Sequence, residues 1–485
     1  MTDPRVQLRP AVDFCLPAAF RGLAPRSVPR VASHPRQRQV RTQMTQDRPI
    51  LFRGATIVSM DPRIGVVDHG DLLIEDGRIA SVSESGAPDA PALPHGGVDV
   101  IDGTGRIIIP GFIDTHRHMW EALLRSGASH HTLNQYYSDV LGDVCRRVTP
   151  DDAYVGTLAS AKSALLSGIT TVQDVANVQL TPSHTDASVA ALRDSGLRTI
   201  LAYGKPFDHM MSTGTGLPDD VLRVRSELLP HDDADVTMAL LTEWGSDDDE
   251  RHNAALADKL EVRTVRHIGA TTPISRLKDL GVLRRGTTFI HGNGLPAAQL
   301  QIMADSGGTL SSAPAIELMM GHGVPAVGQA PYGLLISLST SAEVVTAADM
   351  FSVMRAALQT GRQFGRGAES ERELTAVEVL AMATRDGARS LGLEERTGTL
   401  TPGKDADLTV LRADELDVVP VVDPISTIVL QMDRRHIDAV YRQGRRMVGN
   451  GSLVDDPRPL IERLRSAADR LGPVPRTDVS VQPWL

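Results

Sequence analysis

The stretch GRIIIPGFIDTHRHMW, residues 105–120, carries the reading from which the fold follows. An apolar run broken by Pro110 and Gly111 predicts a buried strand that ends in polar residues, with two histidines near its tip. Side chains alternate along an extended chain, so His116 and His118 share one face while Arg117 points away. Two imidazoles on one face at a strand end can hold a single metal ion. Asp114, on that same face, fits either a partner of the site or a structural role.

Working outward, further short apolar runs follow at intervals that leave room for helices: GITTVQD, RTILAYG, DVTMALLT, VRTVRHIG, TTFIH, GTLSS and LLISLSTS. Helix starts punctuate them. Thr149 with Pro150, Asp151 and Asp152 reads as a cap followed by acids at the positive end of the helix dipole. Thr375 with Glu378 reads as a capping box. Eight strands alternating with helices predict a (β/α)8 barrel over 108–392. A doubly wound open sheet is the alternative, and no G-x-G-x-x-G after the first strand supports it.

The flanks have a different texture. Residues 47–107, with an Asp-Gly turn at Asp76-Gly77, and residues 393–455 are β-branched runs punctuated by glycine. They are expected to fold together as a small β-sandwich beside the barrel. Residues 1–46 hold arginines but no lysine, with Asp3 and Asp13 the only acids up to Gln43. That segment is expected to be a disordered extension, and residues 456–485 a C-terminal tail.

Composition narrows the function classes. Of 485 residues 41% are hydrophobic and only 4% aromatic, so the core must be built from aliphatic side chains. A net charge of −10 argues against an electrostatic grip on nucleic acid or an anionic membrane. Two cysteines, Cys15 and Cys145, allow no disulfide framework, and a reducing cytoplasm is the expected setting. The partner expected is a small molecule.

In such a barrel the chemistry lies at the C-terminal ends of the strands. Besides His116 and His118, His267 closes the fifth strand in RHIG and His291 the sixth in FIHGNG, where it could act as general acid or base or hold substrate. Read together, PGFIDTHRHMWEALLRSG, GITTVQD and GTLTPGKDADLTVL resemble the cytosine-deaminase and chlorohydrolase branch of the amidohydrolase superfamily, over about residues 50–455. The resemblance implies one divalent metal, zinc or iron, held by His116, His118, His267 and an aspartate ending the eighth strand. It also implies an assembly of identical chains. No lysine closes the fourth strand, so a binuclear site bridged by a modified lysine is not expected.

The sequence departs from that pattern at the eighth strand, where LLISLSTSAEV places Ser341 at the aspartate's position. HIGATTP also lacks the glutamate that many deaminases of this type keep after the fifth-strand histidine. Glu343, two residues beyond Ser341, is a candidate to cover as base. Trp120, Tyr136, Glu317, His322 and Ser341 are candidates for the substrate pocket.

The function expected is hydrolysis of a C–N bond, of deaminase or amidase type, in a small cyclic or heterocyclic substrate. A metal-independent lyase, isomerase or cyclase using the histidines as acid and base is the alternative. A non-catalytic binding protein is a third, disfavoured because it gives no chemical reason to keep four histidines at strand ends. A chain that begins at Met44 is expected to fold and keep its activity, as judged by circular dichroism and turnover; a truncated chain that stays unfolded would refute this reading of the first residues.

Overall fold

The computed structural model of the protein describes residues 48–87, 97–206, 217–243, 245–269, 273–328, 333–364 and 373–475. The segment expected to be a disordered extension, residues 1–46, lies outside them. All eight expected barrel strands are present and parallel, and they neighbour one another in chain order. They run Phe112–Arg117, Ile169–Ala176, Arg198–Tyr203, Val236–Leu241, Arg263–Gly269, Thr288–Asn293, Thr309–Ser312 and Leu335–Leu338. Every residue of the first three is buried. Strands covered on both faces are usually apolar throughout; these also bury polar residues, among them Asp114, His116, Arg117, Gln173 and Asp174.

Ser341 joins the last strand to the first. Its N–H donates to the His116 carbonyl at 3.0 Å, and its own carbonyl accepts the His118 N–H at 2.9 Å. The side chains beneath add to the closure. Thr115 Oγ1 lies 2.7 Å from Ser311 Oγ and 3.0 Å from Ser337 Oγ, tying the first strand to the seventh and eighth inside the barrel.

The second layer is a nine-stranded sheet drawn from both ends of the chain. Strand Arg106–Pro110 sits near its middle, parallel to Ile50–Val58 and antiparallel to Leu408–Arg412. The sheet therefore runs to Pro110, slightly beyond the boundary expected at residue 107. Gly111 alone separates it from the first barrel strand. A Cβ there would stand 2.2 Å from Thr170 Oγ1, so only glycine allows the chain to pass. The KDAD segment after Gly403 locks sheet to barrel. Buried Arg198, which opens the third strand, pairs with Asp405 at 2.5 Å and Asp407 at 3.2 Å, and Arg442 reaches Asp407 at 3.1 Å.

Both expected helix caps are formed. Thr149 with Asp152 and Thr375 with Glu378 each make a reciprocal capping box. The chain end differs from expectation, because Arg458–Leu471 forms a helix rather than a tail. Its Ala467 and Leu471 close an apolar cluster with Trp120, Tyr136, Val140, Val144, Ile316 and Ala342, which roofs the first barrel loop. Arg463 pairs with Asp151 at 2.7 Å, and Arg470 with Asp152. Among the described residues no helix is long and apolar enough to cross a membrane.

Inside that roof Tyr136 donates its hydroxyl to Glu121 Oε1 at 2.5 Å, while Glu121 Oε2 has no hydrogen-bond partner among the described residues. Burial, with Glu343 and Asp174 nearby, pushes the Glu121 carboxyl up from 4.5 to about 8. A group whose pKa is raised by folding favours the folded state in acid, and that stability is lost as pH climbs towards the folded value. Relative to Glu121→Gln, which stays neutral and still accepts from Tyr136, the wild type should lose roughly 1.4 kcal/mol per pH unit between pH 4.5 and 8. Melting curves of both proteins across that range check this, and parallel curves would show that Glu121 does not titrate in this way.

Candidate metal centre and active site

The first and fifth strands deliver three histidines to one point at the barrel mouth. His116 Nε2 lies 3.2 Å from His118 Nε2 and 3.2 Å from His267 Nε2. Two of the three rings are fixed from behind. His118 Nδ1–H donates to the Val175 carbonyl at 2.8 Å, and His267 Nδ1–H donates to Glu243 Oε2 at 2.8 Å. Those bonds put a proton on Nδ1 of both rings, so that in the neutral rings both Nε2 atoms are lone-pair donors facing the same space. Lone pairs that converge on one point repel each other unless a cation or proton lies between them. Burial, together with the neighbouring imidazoles, also holds His116 well below the ordinary histidine range and His118 at about 3. Neutral imidazoles at this spacing are the donor set a divalent cation takes.

His291 stands beside the three, its ring centroid 5.4 Å from that of His116 and 5.6 Å from that of His267. It has positive φ, 74°, at the end of the sixth strand. Its Nδ1–H donates to Glu317 Oε1 at 3.0 Å, which leaves Nε2 as the free ring nitrogen. Burial and the nearby His267 lower its pKa to about 3. Glu317, itself fully buried, also accepts from the Ala313 N–H at 2.7 Å, and burial pushes its carboxyl up to about 7. His322 meets His291 edge-on, with centroids 4.9 Å apart, and its Nε2 is buried without a hydrogen-bond partner among the described residues. Of the expected pocket residues, Glu317 and His322 thus join the histidine cluster.

The structure turns other candidates away from that cluster. Glu343 was expected to share a face with Ser341, which holds only if the strand continues. The strand ends at Leu338 and Ser341 takes φ 62°, so alternation fails there. The Glu343 carboxylate instead takes Arg125 Nε at 2.6 Å, Arg117 Nη2 at 3.5 Å and the Ser160 hydroxyl. A carboxylate so engaged is not free to take a proton from substrate or water. Trp120 donates its indole N–H to Asn177 Oδ1 at 2.8 Å inside the roof, and Tyr136 is committed to Glu121. Ser341 enters the site chiefly through its peptide group, which links His116 and His118. Asp114 is structural: it accepts from the Thr340 N–H at 3.0 Å and from the Thr340 hydroxyl, and lies 3.7 Å from Arg117.

Glu243 escaped the sequence reading. It follows the fourth strand in LLTEWG, and only its position at a strand end could have flagged it. Its Oε2 accepts both the backbone N–H of His267, at 2.7 Å, and the ring Nδ1–H. Burial pushes the carboxyl up, but the His267 ring, the His267 amide and Arg266 together hold it below the usual carboxylate range.

Comparison with known proteins places this arrangement. The amidohydrolase family model matches residues 107–447. A 5'-deoxyadenosine deaminase of Methanothermobacter thermautotrophicus is 28% identical over 87% of this chain and 98% of its own length. An 8-oxoguanine deaminase of Pseudomonas aeruginosa is 29% identical over 84% of this chain and 96% of its own. Among solved structures, an adenosine deaminase from Xanthomonas campestris with bound zinc superposes with a TM-score of 0.77 at 21% identity, covering 87% of this chain and 98% of its own. Atrazine chlorohydrolase TrzN from Arthrobacter aurescens TC1, complexed with zinc, gives 0.73 at 24% identity, over 86% and 100%. These two share the fold. With the family model spanning the barrel and reaching into the sheet on both sides, the chain belongs to the amidohydrolase family, hydrolases that act on non-peptide C–N bonds.

Proposed function

We propose that this protein hydrolyses a C–N bond of a small amino-substituted heterocycle, of the purine kind its deaminase relatives are named for, with one zinc or iron ion held by His116, His118 and His267. The observation that carries the reading is the meeting of three imidazole Nε2 atoms at the mouth of the barrel, two of them held as lone-pair donors by the bonds behind them. A divalent ion bound there supplies Lewis-acid activation of water.

The remaining work falls to residues of this chain. His291 Nε2 is the ring nitrogen placed to take a proton from the attacking water and return it to the departing nitrogen. Glu317 holds the His291 ring in that tautomer and stabilises the imidazolium that forms during the transfer. His322, with an unpartnered Nε2 next to His291, is placed to hold a polar edge of the heterocycle. Burial of His116, His118 and Glu317 keeps solvent from the floor of the cluster and strengthens the contacts made there.

Elemental analysis of the purified protein, with ammonia release from a panel of aminopurines and related heterocycles, tests the reading. Near-stoichiometric zinc or iron with ammonia release is expected. Full turnover after exhaustive chelation would instead move the chemistry to metal-independent acid–base transfer by His291 and Glu317. His291→Asn should leave metal content unchanged while lowering kcat by roughly 100- to 10,000-fold, the usual contribution of a positioned acid or base. Loss of metal with the ring would make His291 a ligand instead.

Ser341→Asp probes the eighth-strand position. Aspartate tolerates the φ of 62° there better than most residues, so the exchange should not disturb the barrel closure. It is expected to raise metal retention during dialysis against chelator. Unchanged retention would place the residue 341 side chain outside the metal's reach.

A further inference from the structure

Three neutral imidazoles leave the charge of a divalent cation uncompensated, and a charge buried at a barrel mouth is unfavourable without an anion near it. Among the described residues, the groups whose ligand atoms come together at this point are His116, His118 and His267, with no carboxylate oxygen among them. Position 341, where the eighth strand meets the pair, is a neutral serine. Among the described residues, a carboxylate can therefore act on the ion only from behind a ligand. Glu243 is the carboxylate that touches one of the three rings directly, through His267 Nδ1 at 2.8 Å. Glu317 stands in the same relation to His291, which is outside the set of three.

The surroundings leave the charge of Glu243 available to that ring. Arg266, its neighbour, is taken by Glu250 in a two-pronged pair at 2.7 and 3.0 Å. The Oε2 atom of Glu243 also accepts the His267 backbone N–H at 2.7 Å, so one oxygen fixes both the ring and the strand that carries it.

We propose that Glu243 is the positioning and charge-compensating residue of the metal centre, supplying through His267 the negative charge that the ligands themselves lack. The inference rests on the metal-centre reading above. A carboxylate bonded to a ligating imidazole orients the ring and makes it a stronger donor, and losing such a partner weakens metal binding by about 10- to 100-fold.

Cobalt(II) titration of the metal-stripped full chain, followed by its visible ligand-field absorption, reads this without assaying turnover. Glu243→Gln keeps an oxygen able to accept both His267 bonds and removes only the charge. It is expected to bind cobalt roughly 10- to 100-fold more weakly than wild type. Glu243→Asp keeps the charge and should recover part of the loss. Glu317→Gln, the control behind His291, should bind cobalt within a few-fold of wild type. Ser341→Asp combined with Glu243→Gln should restore affinity, by returning an anion on the other side of the site. Thermal melts of each stripped variant separate misfolding from lost affinity. Glu243→Gln binding cobalt as tightly as a wild type that itself binds one equivalent would overturn the proposal while leaving the metal reading intact. A folded wild type that takes up no cobalt would overturn both, and that outcome is distinguishable from the first.

Discussion

The structure depends on a barrel whose last strand meets its first through the backbone of one residue. The Ser341 N–H and C=O bond to the His116 carbonyl and the His118 N–H, so the link that joins the eighth strand to the first is made at the backbone of the two histidines. Fold and site cannot be separated here, because a shift in register at the closure would turn His116 and His118 off the barrel mouth. Two buried contacts reinforce the closure from either side: Asp114 on Thr340, and Glu343 bridging Arg117 and Arg125. The left-handed conformation of Ser341 lets the chain leave the sheet immediately afterwards, into the turn that carries Glu343 out to its arginines.

A second constraint is the pairing of buried charge. Arg117, Asp114 and Glu343 are each essentially inaccessible to water, and such groups persist only where opposite charges and hydrogen bonds meet them. Four of the buried acids near the site therefore fall into two sets. Asp114 and Glu343 balance arginines and hold the wall. Glu243 and Glu317 face histidines and set which ring nitrogen carries the proton. Division of this kind allows a polar cluster to be rigid and yet turn its Nε2 atoms to the same space.

The roof is the third element. The first loop, the segment after the seventh strand and the helix Arg458–Leu471 share one apolar cluster containing Trp120, Tyr136, Ile316 and Leu471. Trp120 and Tyr136 are large, and each satisfies its polar atom internally, on Asn177 and Glu121. They shape the site by supporting the loops above it, and Met320 and Ala342 extend that support towards His322 and Ser341.

Sequence by itself determined the barrel, the partner sheet built from both chain ends, the two capping boxes and the placing of His116, His118, His267 and His291 at strand ends. These are consequences of local periodicity: an apolar run with a polar tip is a barrel strand, and its last residues lie at the mouth wherever the strand sits in the ring. Contacts across the ring follow no such rule. Glu243 and His267 are separated by a whole helix in the chain and meet because adjacent strands carry them to the same height. Glu343 looked like a member of the site because alternation was extended past Leu338, where the strand had already ended. Tyr136 and Trp120 looked like pocket walls because their size says nothing of the direction in which a loop turns them. From sequence alone the C-terminal helix reads as a tail, since its burial comes from a cluster assembled by three distant segments. Which residues stand at the mouth was written in the pattern of each strand; which of them face one another, and which carboxylate serves which histidine, was decided only when the barrel closed.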